Sequence, residues 1–149
     1  MSYTYVPCES CGKLNRVSWE ESASKEPICG HCKAPLPLHF GVAEVSGTGL
    51  KTLAGRSPIP VICDFWAPWC GPCKAFAPIF QQAARRLSSR AALAKLNTER
   101  HTLASDAYGV RSIPTLILFH KGIERGRLSG ALPLDAFLRW ADEQLAQIQ

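Results

Sequence analysis

The stretch Trp66–Lys74 reads WAPWCGPCK and follows an apolar, partly β-branched run over residues 59–66. That run predicts a buried strand, and the apolar periodicity over residues 74–87 predicts a helix. The two cysteines therefore lie where a strand ends and a helix begins. Unpaired backbone N–H groups and the positive end of the helix dipole stabilise a thiolate there, and the thiolate is the form that attacks disulfides. Cys70 is predicted to be exposed and to attack first, with Cys73 one turn deeper as the resolving thiol.

The elements around this stretch alternate between strands and helices. A strand over residues 40–45 and a weak helix over residues 50–54 are predicted before it. A strand near 92–96, a short helix near 102–108, a hairpin of strands 115–120 and 123–129, and a last helix from Pro133 are predicted after it. The order β-α-β-α-β-α-β-β-α predicts an α/β fold, in which helices cover both faces of a mixed sheet.

Residues 1–38 differ from the rest, because they are poor in aliphatic residues and rich in cysteine, proline, serine and glutamate. A segment of this kind builds no core of its own without a crosslink or a metal. Its four cysteines have the spacing of two zinc knuckles, which predicts a tetrahedral zinc site rather than free or disulfide-bonded thiols; they are Cys8, Cys11, Cys29 and Cys32. His31 could replace a ligand, but with four cysteines present it is expected to be a solvated turn residue. We expect residues 1–38 to form a zinc module ending in a proline-containing linker, and residues 39–149 a second domain.

The charge distribution argues against nucleic acid as a partner. The net charge is +5, from 17 basic and 12 acidic side chains, and residues 1–38 carry four of each. The remaining basic residues are scattered rather than gathered into a stripe that could follow phosphates. No apolar run approaches the roughly 18 to 20 residues that a membrane-spanning helix needs, so no membrane association is expected.

The use of cysteine favours a reducing compartment. The chain has seven cysteines, six of them in Cys-x-x-Cys pairs, and its start has neither the basic nor the apolar region of a secretory signal. Pairs of this kind indicate metal binding or redox chemistry rather than a disulfide framework. We therefore expect a cytoplasmic protein. Cys63, the unpaired cysteine, alternates to the strand face opposite Asp64 and is expected to be a small buried hydrophobe.

Several motifs resemble the thioredoxin family. The segment Trp69–Cys73, WCGPC, is identical to that family's active-site motif, and the residues before it, Asp64–Ala67, also match. Downstream, Ile113–Thr115 resembles the cis-proline loop that binds substrate backbone, and residues 130–131 match the glycine that closes the same groove. Ser112 departs from the pattern, since glycine is common there. The resemblance covers roughly residues 40–149 and implies a thioredoxin fold.

The resemblance also implies roles for individual residues. Asp64 is similar to the family's buried carboxylate, which exchanges a proton with Cys73, and burial in an apolar strand should raise its pKa. Lys95 resembles the charged neighbour of that carboxylate, with an ordinary surface lysine as the alternative. A cis peptide bond is expected before Pro114. The resemblance implies substrate binding by six residues, namely Trp69, Gly71, Pro72, Ile113, Pro114 and Gly130.

A zinc ribbon before a WCGPC domain is similar to the thioredoxin 2 branch found in bacteria. That branch implies a protein-disulfide reductase that acts on oxidised protein substrates and is recycled by an NADPH-dependent thioredoxin reductase. It implies one Zn²⁺ and no organic cofactor. A monomer is the default expectation for the oligomeric state.

One alternative is a zinc-dependent interaction or chaperone module that uses the fold as a platform. A compatible addition is a redox sensor in which oxidation of the four module thiols ejects zinc.

Overall fold

The structure, a computed structural model, describes residues 2–148. Within them a small two-stranded sheet precedes a six-stranded sheet with helices on both faces. The elements in chain order are β1 (Tyr3–Pro7), β2 (Leu14–Ser18), α1 (Trp19–Ser24), β3 (Leu38–His39), β4 (Val42–Glu44), α2 (Gly47–Arg56), β5 (Val61–Trp66), α3 (Gly71–Leu87), β6 (Ala92–Asn97), α4 (Thr102–Ala107), β7 (Thr115–His120), β8 (Ile123–Ser129) and α5 (Leu134–Ala146).

The main sheet has the strand order β3-β4-β6-β5-β7-β8. Strands β4, β6 and β5 run parallel, whereas β7 pairs antiparallel with both β5 and β8, and β3 pairs antiparallel with β4. One face packs Leu50 and Leu53 of α2, and the other packs Phe76 of α3 and Phe137 of α5. This arrangement confirms the predicted α/β fold with a mixed sheet covered on both faces.

Strand β5 lies at the centre of the sheet, where both of its faces are covered. Cys63 and Phe65 are fully buried in the cluster on the α2 face, while Ile62 is buried in the cluster on the α3 face. The alternation puts Asp64 on the α3 face, opposite Cys63. Cys63 is therefore the buried small hydrophobe that the sequence predicts, and Asp64 points toward α3, the helix at whose start Cys70 and Cys73 lie.

The first strand of the predicted main sheet is shorter than expected. The predicted strand over residues 40–45 is reduced to β4, because Phe40 and Gly41 have φ angles of 53° and 79° and form the turn between β3 and β4. A side chain at Gly41 would collide with the ring of Trp19. The preceding segment, predicted as a linker, contributes β3 as an edge strand. The weak helix predicted over residues 50–54 is a ten-residue helix, α2, whose N-cap is Ser46.

The N-terminal segment packs against the main sheet rather than standing apart from it. Strands β1 and β2 form an antiparallel hairpin that the sequence analysis missed. Val6 and Val17 from this hairpin are buried in the same cluster as Leu50 and Leu53 of α2. Backbone hydrogen bonds also join the module to the loop after α3, since Ser89 N–H donates to the Tyr3 carbonyl over 2.9 Å. The module therefore docks on the α2 face of the sheet.

Among the helices within residues 2–148, none combines the length and the apolar character needed to cross a bilayer.

Candidate active site and four-cysteine cluster

Cys70 and Cys73 are joined by a disulfide bond at the beginning of α3. Cys70 is the N-cap residue, and its sulfur accepts a hydrogen bond of 3.2 Å from the Cys73 backbone N–H. Pro72 occupies the first turn of the helix, where its missing N–H leaves no hydrogen bond unmade. The helix N-terminus thus directs the Cys73 N–H at the Cys70 sulfur, as the strand-to-helix placement predicts.

The predicted exposure of Cys70 is wrong for this oxidised form. Cys70 is 5% exposed and Cys73 is 2% exposed. Both pack in a small cluster with Ala67, Trp66 and Ile113. The Cys70 sulfur also lies 3.8 Å from the Ile113 carbonyl oxygen. Cys70 is covered because its sulfur is bonded to its neighbour and faces the loop opposite.

The loop opposite the disulfide carries the predicted substrate-binding residues. The Ile113–Pro114 peptide bond is cis, as the sequence predicts. Gly130, with a φ of 101°, donates its N–H to the Pro114 carbonyl over 2.9 Å. That φ lies in the region that favours glycine, so a side chain at this position would strain the backbone. The two predicted loops therefore meet on one side of the disulfide.

The residues around Cys70 in the chain are accessible to a partner. Trp69 is 69% exposed, which makes it one of the few large exposed apolar side chains among residues 2–148. Gly71 and Pro72 are also exposed at the start of α3. Next to them, Trp66 is half-buried and packs in the cluster around the disulfide. The disulfide is thus bordered by exposed apolar surface on the Trp69 side and by the cis-proline loop on the other.

Asp64 is a buried carboxyl group in β5. It is 4% exposed, and its Oδ1 atom has no hydrogen-bond partner among the residues described. Burial raises the pKa of Asp64 to about 7, and the positive charge of Lys95 offsets part of that rise. Desolvation disfavours the charged form of a carboxylate, which is why the pKa moves upward. The raised pKa agrees with the expectation for a carboxyl group in an apolar strand.

Lys95 lies beside Asp64, since the two residues are partners in the parallel pairing of β5 with β6. Its ammonium nitrogen is 5.0 Å from the centre of the Trp66 ring and 4.0 Å from the Glu44 carboxylate. The side chain is about one-third exposed. Lys95 is therefore the charged neighbour of Asp64 that the resemblance implies, rather than an isolated surface lysine.

Asp64 and Cys73 border a common cavity of about 90 Å³. Asp64, Cys73 and Lys95 all line it, together with Trp66 and residues of α3. His39 of β3 lines it as well, although the sequence analysis gave this residue no role. No sequence signal distinguishes His39, because its place beside the cavity depends on the edge strand β3, which was predicted as a linker.

The four N-terminal cysteines converge on one point. Their sulfur atoms all lie within 4.8 Å of one another, and the Cys8–Cys32 and Cys11–Cys29 pairs are each 3.6 Å apart. Zinc–sulfur bonds of about 2.3 Å in a tetrahedron place the sulfurs about 3.8 Å apart. Four thiols at this separation match a tetrahedral metal site, and the residues present therefore fit a zinc ion.

Polar groups near this cluster favour thiolate at Cys29. The Cys32 backbone N–H, followed by that of His31 and the Asn15 amide, lowers the pKa of Cys29 to about 6, although burial opposes the change. The Asn15 amide nitrogen lies 3.5 Å from the Cys29 sulfur, and its oxygen accepts the Gly30 N–H over 2.9 Å. Sequence reasoning missed Asn15, because its role depends on the β1–β2 hairpin. His31 has an exposed side chain and bonds Cys29 only through its backbone.

Known proteins are similar to this chain in sequence. The thioredoxin family model matches residues 42–143. Thioredoxin C-3 of Corynebacterium nephridii is 43% identical over 145 residues, which cover 97% of each chain. The chain belongs to the thioredoxin family. Thioredoxin 1 of Synechococcus elongatus is 38% identical over 103 residues, covering 69% of this chain and 96% of its own.

A solved structure supports the same assignment. A mutant thioredoxin from Halobacterium salinarum NRC-1 has a TM-score of 0.65 and 30% identity, over 72% of this chain and 94% of that one. The alignment with Thioredoxin C-3 extends over nearly the whole chain and thus through most of the four-cysteine module. As a thioredoxin, the protein is a protein-disulfide oxidoreductase, and its redox disulfide is the bond between Cys70 and Cys73.

Proposed function

We propose that this thioredoxin works as a reductase of protein disulfides and is recycled by an NADPH-dependent thioredoxin reductase. The observation that carries the proposal is the Cys70–Cys73 disulfide at the N-terminus of α3, facing the cis-Pro114 loop. In the reduced protein, the Cys73 N–H that now donates to the Cys70 sulfur and the positive end of the α3 dipole stabilise the Cys70 thiolate. The neighbouring Trp69, Gly71, Pro72, Ile113, Pro114 and Gly130 form the surface that binds the substrate chain.

The reaction transfers two electrons from the dithiol to the substrate. The Cys70 thiolate attacks one sulfur of the substrate disulfide and forms a mixed disulfide, and the other substrate sulfur leaves as a thiolate. Cys73 then loses its proton and attacks the Cys70 sulfur. The Cys70–Cys73 bond forms, the bond between Cys70 and substrate breaks, and the second substrate sulfur leaves and takes up a proton. Two substrate thiols and one protein disulfide result.

Asp64 is the group that accepts the proton of Cys73. Both residues line the same small cavity, and the pKa of Asp64, raised by burial to about 7, suits proton exchange near neutral pH. Lys95 acts as a positioning residue, because its charge lies beside the carboxylate and limits the rise of that pKa. Without the positive charge of Lys95, the pKa of Asp64 would rise further, and Asp64 would hold its proton too tightly to act as a base.

The four-cysteine cluster is proposed to bind one zinc ion, held by Cys8, Cys11, Cys29 and Cys32. Zinc at such a site contributes directly to folding by crosslinking the two knuckles. We propose residues 1–38 as the zinc module and residues 39–149 as the thioredoxin domain, as in the zinc-containing thioredoxin 2 branch. Free thiols persist in reducing compartments, so we propose a cytoplasmic location. We also propose that the protein is a monomer and that it binds no organic cofactor.

Coupled turnover tests the reductase function. The full-length protein is mixed with NADPH, thioredoxin reductase and a disulfide-containing protein such as insulin, and NADPH consumption is followed. Cys70→Ser should abolish turnover. Cys63→Ala is the matched control, since it removes a buried thiol from the opposite face of the sheet and should retain turnover. If the folded, zinc-loaded wild type is inactive, the protein is an interaction or chaperone module instead.

Metal analysis tests the zinc proposal. We expect one zinc per chain in the purified wild type and in Cys63→Ala, and a large loss of zinc in Cys29→Ser. Release of zinc by peroxide, at levels that leave the fold intact by circular dichroism, would add the redox-sensor role. Complete retention of zinc under those conditions rules that role out, and a wild type without bound metal rules out the zinc site itself.

A further inference from the structure

The cavity lined by Asp64 and Cys73 also reaches residues nearer the surface, past which a proton can leave. Asp64 and Cys73 are buried at its inner end, whereas His39, Lys74 and Gln81 lie toward the surface. With a volume of about 90 Å³, it has room for several water molecules, since each needs roughly 10–15 Å³. A proton taken from Cys73 by Asp64 must travel through this space before the next cycle.

His39 occupies a particular place at this outer end. It lines the small cavity and also the open groove of about 1000 Å³ between the zinc module and the end of α3. Strand β3 holds it there through the pairing of His39 with Val42, and Val42 itself lines the cavity. The exposed His39 thus borders both the cavity that holds the buried carboxyl group and the open groove.

The chemistry of the neighbouring groups also singles out His39. Among the described residues that line the cavity, Lys74 and Lys95 carry ammonium groups, which donate but do not accept hydrogen bonds, and Gln81 does not titrate. Glu44 on β4 carries a carboxylate, but it faces the Lys95 ammonium and does not line the cavity. An imidazole can accept a proton at one ring nitrogen and donate one from the other, which neither an ammonium group nor an amide does.

We propose that His39 is a positioning residue for proton release, relaying the proton of Asp64 between the cavity and solvent. This inference rests on the proposed reductase function. In the step itself, the protonated Asp64 carboxyl group first gives its proton through the cavity to the His39 imidazole, which releases its other proton to solvent. The Asp64 carboxylate then takes the proton of Cys73, and Cys73 attacks the Cys70 sulfur. No electrons move in the relay; Asp64 ends protonated, as it began, and His39 ends as a neutral imidazole in its other tautomer.

A single-turnover experiment separates the two exchange steps. The reduced full-length protein is mixed with one equivalent of a chromogenic aryl disulfide, dithiobis(nitrobenzoate), whose two halves absorb when released. The first release reports the attack of Cys70, and the second reports the attack of Cys73. His39→Gln should leave the first phase unchanged and slow the second roughly 3- to 10-fold in dilute buffer, less than the 100-fold or more expected for direct acid–base catalysis.

Two further measurements distinguish a relay from a structural effect. Concentrated imidazole should restore the second phase of His39→Gln and leave the wild type unaffected, and the pH profile of that phase should change only in the variant. His31→Gln, which alters an exposed histidine of the zinc module, should match the wild type. An unchanged second phase in His39→Gln, or a slow one that imidazole does not restore, overturns the relay. If the wild type never releases the second half, the reductase proposal fails instead.

Discussion

At the scale of single residues, the chemistry depends on a carboxyl group placed where water is scarce. Asp64 is the one acidic residue of a strand that is otherwise apolar, VICDFW. The strand alternation turns it toward α3, so that it shares a cavity with Cys73 rather than with Cys63. Function therefore costs stability at this position, because the folded protein must bury a group that prefers to ionise in water.

The cost of burying Asp64 predicts how the stability of the Asp64→Asn variant, relative to the wild type, depends on pH. Burial raises the pKa of Asp64 from an ordinary 3.8 to about 7, so the folded state binds this proton more tightly than the unfolded state does. The stability contributed by the protonated group is complete below the unfolded pKa and is lost as pH rises to the folded pKa. The asparagine variant should therefore gain stability over the wild type between about pH 4 and pH 7, and the gain should then level off. At about 1.4 kcal/mol per pH unit, its upper limit is about 4 kcal/mol.

Urea unfolding at several pH values measures this difference. Asp142→Asn, at an exposed surface ion pair with Arg90, is the control and should show no comparable dependence on pH. Equal stability of the wild type and Asp64→Asn at pH 8 would contradict a buried carboxyl group with a raised pKa.

At the scale of elements, the zinc module is attached to the N-terminus of α2 through Glu9. This residue lies between the first two cysteines, and its carboxylate accepts hydrogen bonds from the Ser46 hydroxyl over 2.7 Å and the Ser46 N–H over 3.3 Å. The Ser46 hydroxyl in turn accepts the Gly49 N–H over 3.0 Å. A side chain at Gly49 would collide with the carboxylate. The first Cys-x-x-Cys segment thus contributes the negative charge that a helix N-terminus favours.

A double-mutant cycle tests this attachment. Glu9→Gln should lower the free energy of unfolding by about 0.5 to 1 kcal/mol, from the lost charge at the helix end, and Ser46→Ala by about 1 kcal/mol, from the lost cap. Because the two side chains are bonded, the double variant should lose less than the sum of the single variants. Glu20→Gln, an exposed change in the same module, should be neutral. Additive effects of Glu9→Gln and Ser46→Ala would show that the bond contributes no stability.

How far the sequence predicts the structure also differs from element to element. The bounds of β7 and β8 agree with prediction, because the Lys121–Gly122 turn ends the apolar run of β7 and returns the chain along it as β8. Helix α2 was underestimated, since its three glycines lower the helical propensity that a pattern reveals. Its formation depends on burial of Leu50 and Leu53 against the zinc module, and such tertiary contacts are not visible in a sequence.

The candidate site shows the same division. The cysteines, Asp64, Lys95 and the cis-proline loop could be predicted, because each belongs to a motif with a fixed spacing or a known strand position. Three features could not be predicted: the burial of Cys70, the contact of the Asn15 amide with Cys29, and the position of His39 beside the cavity. Each of these depends on two segments that are distant in the chain and meet only after folding.

At the scale of the whole molecule, the two parts of the chain share one hydrophobic cluster. Val6, Val17 and Leu36 from the N-terminal segment are buried together with Leu50 of α2 and Phe119 of β7. A segment too poor in aliphatic residues to build its own core therefore contributes to that of its neighbour. This shared burial predicts that the zinc module and the thioredoxin domain unfold together.

Val6→Ala tests the shared core. Removing two buried methyl groups at a fully buried position should cost about 2 kcal/mol, which corresponds to a fall of roughly 5 °C in Tm for a chain of this size. Zinc release and tryptophan fluorescence should shift together in thermal unfolding. Ile28→Ala, at a 54% exposed site of the same module, is the control and should change little. Earlier zinc release with an unchanged fluorescence transition would show that the two parts unfold separately.

Trapping of the mixed disulfide tests whether Cys70 attacks the substrate and Cys73 resolves the intermediate. The reduced, zinc-loaded Cys73→Ser variant is mixed with a disulfide-containing protein, and the products are digested without reductant and mapped by mass spectrometry. We predict a stable mixed disulfide at Cys70, cleaved by dithiothreitol and absent from the wild type, whose Cys73 releases the substrate. A variant that forms no adduct, or forms one at the four-cysteine cluster while Cys70 stays free, would contradict the account.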